Sequence, residues 1–143
     1  MMSEKQVQKK KLNYQSMDVK DVYQLIDLVN QGLDYSQFLS IKNEGSFTFN
    51  EWSHYLRMSE RTMQRYKREK RSFDSIHSER ILQIALVYKL GMDVFGDNDN
   101  FDTWLNIENI ALGKIKPKEL LNNSFGIQLL RDELIRIEHG VLA

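Results

Sequence analysis

The 143-residue chain is 41% apolar and 28% charged, holds one proline and no cysteine, and its formal charges cancel. That composition suits one ordinary globular domain or two very small ones; it excludes disulfides and thiolate metal sites, and nothing in it argues for an oxidising compartment. No stretch approaches the roughly 18 consecutive apolar residues of a membrane span, and no apolar segment follows the charged start, so a cytoplasmic protein without membrane contact is expected.

Helix formers dominate and alternating β-branched runs are scarce, which predicts an all-α fold. Residues 1–17, with Lys9, Lys10 and Lys11 and no apolar periodicity, read as a flexible basic arm. Asp18 can cap a helix over 18–30, where Val19, Val22, Leu25, Ile26 and Val29 follow amphipathic spacing; Gly32 ends it. A second helix is expected over 35–42, ending near Gly45. Thr48 and Glu51 have the spacing of a capping box, which starts a helix running to Leu56. After a break at Arg57 and Met58, Ser59 is a good N-cap for a helix that turns Met63 and Tyr66 inward.

A longer helix over 78–94 has an apolar face wide enough for the centre of a core. Gly96 followed by Asp97, Asn98, Asp99 and Asn100 then marks a boundary. Beyond it a helix is predicted over 101–108, a short one opened by Pro117 at its first position, and a last one over 125–139 stopped by Gly140. The expected organisation is an arm (1–17), a helical region with a DNA-binding motif (18–97) and a C-terminal unit (98–143). Trp52 and Trp104 are the expected anchors of the two folded parts.

Charge is distributed unevenly. Residues 57–71 carry seven cations against two anions, and residues 91–143 carry nine anions against five cations. A basic segment of this kind is either a solvated helix face or the footprint of a polyanion. The helices on either side of Arg57 have the pattern of a helix-turn-helix, whose second helix must cross the first steeply. Trp52, Leu56, Met58, Met63 and Tyr66 fill its apolar positions, and Ser53 is small where the helices touch. Arg57 takes the turn position usually held by a left-handed glycine, at a cost of about 1 kcal/mol.

In this register Ser59, Glu60, Arg61, Gln64, Arg65 and Arg68 face outward. Arg61, Gln64 and Arg65 are the candidates for reading bases, because Arg pairs with guanine O6 and N7 and Gln with adenine N6 and N7. Lys67, Arg68, Lys70 and Arg71 lie further along, suited to phosphates, which contribute affinity and salt dependence but no sequence information. Glu60 must accept from a cytosine or repel the backbone.

No chemistry of catalysis is legible. His54, His77 and His139 are far apart in the sequence, and no glycine-rich phosphate loop or nucleophile elbow occurs. Asp97, Asp99 and Asp102 lack the glycine and terminal glutamate of a calcium loop. No enzyme, cofactor or metal is expected.

Three segments carry a family resemblance: residues 58–65 (MSERTMQR); SERIL at 78–82 with VFGD at 94–97; and Trp104, Leu105, Leu112, Gly113, Pro117, Leu120, Leu121, Gly126 and LIRIEHGV at 134–141. In this ordered set residues 46–143 resemble the Xre/MbcA/ParS antitoxins, whose partners are RES-domain toxins that degrade NAD⁺. Residues 18–45 are compatible with that family's helical N-terminal region. Departures are Glu108-Asn109 where Pro-Asn is common and Asn123 where threonine is common.

The resemblance implies a type II antitoxin that dimerises within a toxin–antitoxin hetero-oligomer, binds double-stranded operator DNA as a repressor, and covers the toxin's NAD⁺ entrance with its C-terminal region. It directs attention to Arg136, Glu138, His139, Gly140, Val141 and Leu142 as toxin contacts. The apolar residues of 98–143, among them Phe101, Ile110, Leu129 and Ile137, exceed what so small a unit needs. Some of them face a partner, or all of them pack on the long helix. The alternative function is a transcription regulator whose C-terminal domain serves dimerisation or another protein partner.

Overall fold

Short polar side chains set where the helices begin. The computed structural model describes residues 19–140 and is helical throughout, with no strand among the described residues. The basic arm, the Asp18 cap, Val141 and Leu142 lie outside them. Helix α1 spans Val19–Gln31 and α2 Tyr35–Glu44. A capping box opens α2, in which Asp34 Oδ1 accepts from the Gln37 amide at 2.8 Å and Gln37 Oε1 from the Asp34 amide at 2.9 Å. In α3 (Phe49–Leu56) the predicted box is present: the Glu51 amide donates to Thr48 Oγ1 at 3.1 Å and the Thr48 amide to Glu51 Oε1 at 3.0 Å. Ser59 caps α4 (Glu60–Glu69) by accepting from the Thr62 amide at 3.0 Å.

Two starts fall earlier than the apolar pattern indicates. Asp74 accepts from the His77 amide at 2.8 Å, so α5 spans Ser75–Phe95 rather than starting at Ser78. Asp97 accepts from the Asn100 amide at 2.8 Å, so the polar run after Gly96 is the first turn of α6 (Asn98–Leu105). The residues that mark the boundary are helix because the Asp97 carboxylate satisfies one of the first-turn amides. Two 3₁₀ segments follow, Ile110–Leu112 and Pro117–Asn122, the second with its proline in the first turn. Asn123 then caps α7 (Ser124–Glu138), its side chain accepting from the Gly126 amide at 2.7 Å.

Helix α5 is the axis of the molecule: α1, α3, α6 and α7 pack on it. Its buried residues include Ile81, Ile84, Val87, Tyr88 and Leu90. An unbroken series of ring contacts crosses the core. Phe38 meets Trp52 at 5.3 Å between centroids, Trp52 meets Phe47 at 6.2 Å, Phe47 meets Tyr88 at 5.4 Å, and Tyr88 meets Phe101 at 5.2 Å. Phe101 in turn stacks on Trp104, which is half-buried rather than enclosed. Burial of the Tyr88 hydroxyl, reinforced by its 2.9 Å hydrogen bond to Asp102, raises its pKa to about 12.

The loops are tied to one another. The Phe73 amide donates to the Leu33 carbonyl at 2.7 Å, and the Leu33 amide donates to Ser78 Oγ at 2.8 Å. Gly32 makes this possible: its φ is +82°, and a Cβ there would lie 2.3 Å from the Phe73 carbonyl oxygen. Helix α1 differs from its sequence pattern. Leu25, Leu28 and Val29 pack against the core and Asp21 is buried, while Val22 and Ile26 are exposed. α1 packs chiefly on α5, and a helix with one neighbour has only a narrow stripe covered.

Candidate nucleic-acid and partner-binding surfaces

The helix-turn-helix is built from α3 and α4. Trp52, Ser53, Leu56 and Met63 are buried and Met58 and Tyr66 half-buried, so every apolar position of the motif faces the core. Arg57 is left-handed, with φ +54°. Its Nε donates to the Asn122 carbonyl at 3.0 Å, so the strained turn is held by the 3₁₀ segment before α7.

Arg61, Gln64, Arg65 and Arg68 are all exposed, and their i, i+3, i+4, i+7 spacing puts them on one face of α4. Ser59 lies at the head of this face, its hydroxyl donating to Thr62 Oγ1 at 2.8 Å. Glu60 is engaged within the motif, since Asn50 Nδ2 donates to its Oε1 at 2.9 Å. That hydrogen bond draws the carboxylate toward the start of α3. Asn50 escaped the sequence reading because nothing local marks it as a partner of Glu60.

The other cations do not join that face. Lys67 lies roughly a third of a turn round from it. Lys70 is the left-handed residue ending α4, with φ +53°. Arg71 sits over the Tyr66 ring at 5.3 Å and pairs with Glu69 at 3.8 Å. The structure thus separates a coherent stripe of Arg61, Gln64, Arg65 and Arg68 from peripheral charges on Lys67, Lys70 and Arg71.

The start of α3 is joined to the C-terminal part of the chain. Lys118 Nζ lies 3.2 Å from Glu51 Oε2, and both side chains are mostly buried. Burial alone would raise the Glu51 pKa, but the Thr48 amide and the Lys118 ammonium together bring it below the usual carboxylate value. A carboxyl whose pKa is depressed by folding contributes stability that is complete above its unfolded pKa and is lost as pH falls through the folded one. Urea midpoints of wild type and Lys118→Met, measured from about pH 7 to about pH 3, should therefore converge as Glu51 protonates. Parallel curves would show that the pair carries no pH-dependent stability.

At the other end of α7, Arg136, Glu138, His139 and Gly140 are exposed, with Arg136 paired to Glu133. Of the apolar residues beyond 98, Phe101, Leu105, Leu112, Leu121, Leu130 and Leu134 are buried, whereas Ile107, Ile110, Phe125, Leu129 and Ile137 are exposed. Phe125, at 91% exposure, is the most exposed of these and was not singled out from the sequence. A helical wheel is the signal that finds it, because Ile127, Leu130 and Leu134 mark the buried side and Phe125 falls opposite them. Among the described residues no cluster of His, Cys, Asp and Glu could hold a metal ion, and no helix is long and apolar enough to cross a membrane.

Two family models match consecutive parts of the chain. Residues 24–86 match the antitoxin Xre-like helix-turn-helix domain, and residues 90–140 the antitoxin Xre/MbcA/ParS C-terminal toxin-binding domain. The chain is 26% identical over 117 residues to an antitoxin Xre of Photorhabdus laumondii, an alignment covering 81% of this chain and 79% of the relative. The fold is similar to a chain in the crystal structure of the M. tuberculosis MbcT-MbcA toxin-antitoxin complex, with TM-score 0.60 and 18% identity, covering 74% of this chain and 94% of that one.

Proposed function

The chain belongs to the Xre/MbcA/ParS family of antitoxins, and from that premise we propose that it neutralises a RES-type, NAD⁺-degrading toxin and represses its own operon in the cytoplasm. In this reading residues 18–97 bind operator DNA, and residues 98–143 bind the toxin and close its NAD⁺ entrance. The antitoxin acts as a homodimer within the toxin complex. It works by binding and performs no catalysis of its own.

The observation that carries the DNA half is the exposed stripe of Arg61, Gln64, Arg65 and Arg68 on the second helix of a correctly packed helix-turn-helix. Such a face supplies bidentate donors to base edges, while Ser59, Lys67, Lys70 and Arg71 flank it for phosphates. Arg61→Ala or Arg65→Ala should cost about 1–3 kcal/mol at the specific operator, whereas Lys70→Ala should weaken all sequences alike. Anisotropy titrations on operator and random duplexes at two salt concentrations check this. Equal losses on both duplexes for all three variants would remove base reading.

The toxin half rests on Arg136, Glu138, His139 and Gly140 at the exposed end of α7, continued by Val141 and Leu142. Deletion from Arg136 onward spares the buried Leu130 and Leu134, so the shortened chain should fold and bind DNA yet fail to rescue cells from the toxin. Arg65→Ala should lose repression and keep rescue. Growth and NAD⁺ levels after induction of the neighbouring gene, with each variant co-expressed, separate the two activities. Full protection by the truncated form would move inhibition to another face.

A further inference from the structure

Helix α7 presents a second contact surface at its other end. Phe125, Leu129, Asp132 and Arg136 recur at i, i+4, i+7 and i+11, which puts them on one side of the helix. The opposite side, Ile127, Leu130 and Leu134, is buried. Phe125 is 91% and Leu129 47% exposed. A phenylalanine in the first turn of a helix neither caps it nor favours it, and here its ring lies in solvent rather than in the core.

The start of α7 is also rigidly held. Asn122 accepts from Arg57 Nε at 3.0 Å, Asn123 caps the helix at 2.7 Å, and Ser124 Oγ lies 3.5 Å from Gln83 Oε1. A Cβ at Gly126 would stand 2.2 Å from the Leu120 carbonyl oxygen, so the helix is pressed against the 3₁₀ segment with no room to shift. An aromatic ring displayed on a fixed helix end loses little freedom on being covered, which is the property of an anchor residue at a protein interface.

We infer that the side of α7 carrying Phe125 and Leu129 is a docking face for the toxin, with the Phe125 ring as its main anchor; this rests on the antitoxin reading above. Two observations select the occupant. The face lies wholly within residues 90–140, which match a toxin-binding domain. It also runs into Arg136 on the same side of the helix, so it is continuous with the helix end proposed above to contact the toxin. The partner surface that fits offers an apolar socket for a ring and, about 10 Å and about 16 Å along the helix, polar groups for Asp132 and Arg136.

The test uses the full-length chain and the purified RES-type product of the neighbouring gene, with dissociation constants measured by calorimetry. Phe125→Ser should weaken toxin binding at least ~30-fold and Leu129→Gln about tenfold, with operator affinity, circular dichroism and urea midpoint unchanged. Tyr23→Ser, which removes an exposed ring on α1, should leave toxin affinity at the wild-type value. Toxin affinity within about threefold of wild type for both α7 variants overturns the inference. So does loss of self-association in sedimentation with toxin affinity intact, which would give the face to a second copy. Should Phe125→Ser fail to fold, Leu129→Gln decides by the same criterion. A wild-type chain that does not bind the gene product refutes the antitoxin reading beneath, whereas a bound wild type with equally bound variants refutes this inference alone.

Discussion

Trp52→Ala is expected to lower the free energy of unfolding by about 3–5 kcal/mol, a large part of the stability of a domain this size. The indole is 2% exposed and stands edge-on to Phe38 at 85° and Phe47 at 80°, with Tyr55 beside it. Its loss would open a cavity beside Phe38, Phe47 and Tyr55. Trp52→Phe should cost less than half as much, because it keeps a ring and removes an indole N–H that is buried without an acceptor among the described residues. Trp104→Ala should also cost less than Trp52→Ala, since Trp104 is only half-buried. Urea denaturation followed by circular dichroism ranks the three. A cost below ~1 kcal/mol for Trp52→Ala would mean that the aromatic series does not support the helix-turn-helix.

Gly91→Ala should destabilise the chain by about 1–3 kcal/mol, although alanine is the better helix former by about 1 kcal/mol. A Cβ on Gly91 would lie 2.0 Å from Phe101 Cζ and 2.3 Å from both Cε atoms. The Phe101 ring is fully buried, held by Tyr88 at 5.2 Å, Phe95 at 5.7 Å and Trp104 at 6.1 Å, so it cannot swing aside. The added methyl must push α6 off α5. In a Phe101→Leu background the clash is relieved, and the cost of Gly91→Ala should shrink or change sign, a coupling that a double-mutant cycle reads directly. Additive losses would mean that α6 does not rest on Gly91.

The local grammar of the chain was legible because its causes lie within a turn of the residues concerned. Thr48 and Glu51 close a capping box, Ser59 caps α4, and Gly32 takes the left-handed angle that ends α1. The helix-turn-helix register followed from the same logic, since once Trp52, Leu56 and Met63 are inside, helical spacing leaves Arg61, Gln64, Arg65 and Arg68 outside. The early starts of α5 and α6 were missed because Asp74 and Asp97 cap helices whose first turns carry little apolar signal.

By itself the sequence determined the all-helical fold, the motif, its outward residues and the family, all of which depend on spacing along one chain. Only the tertiary structure decided what depends on distant neighbours. Arg57 accepts a left-handed turn because a carbonyl 65 positions away holds its guanidinium, and Glu51 gains its ammonium partner from 67 positions away. Ser78 serves the Leu33 amide across 45 positions. The exposed sides of α1 and α7 belong to the same class. Val22 and Ile26 fit the amphipathic spacing of α1 and are nevertheless exposed, because what covers a helix face is the number and placement of its neighbours and not the composition of the helix.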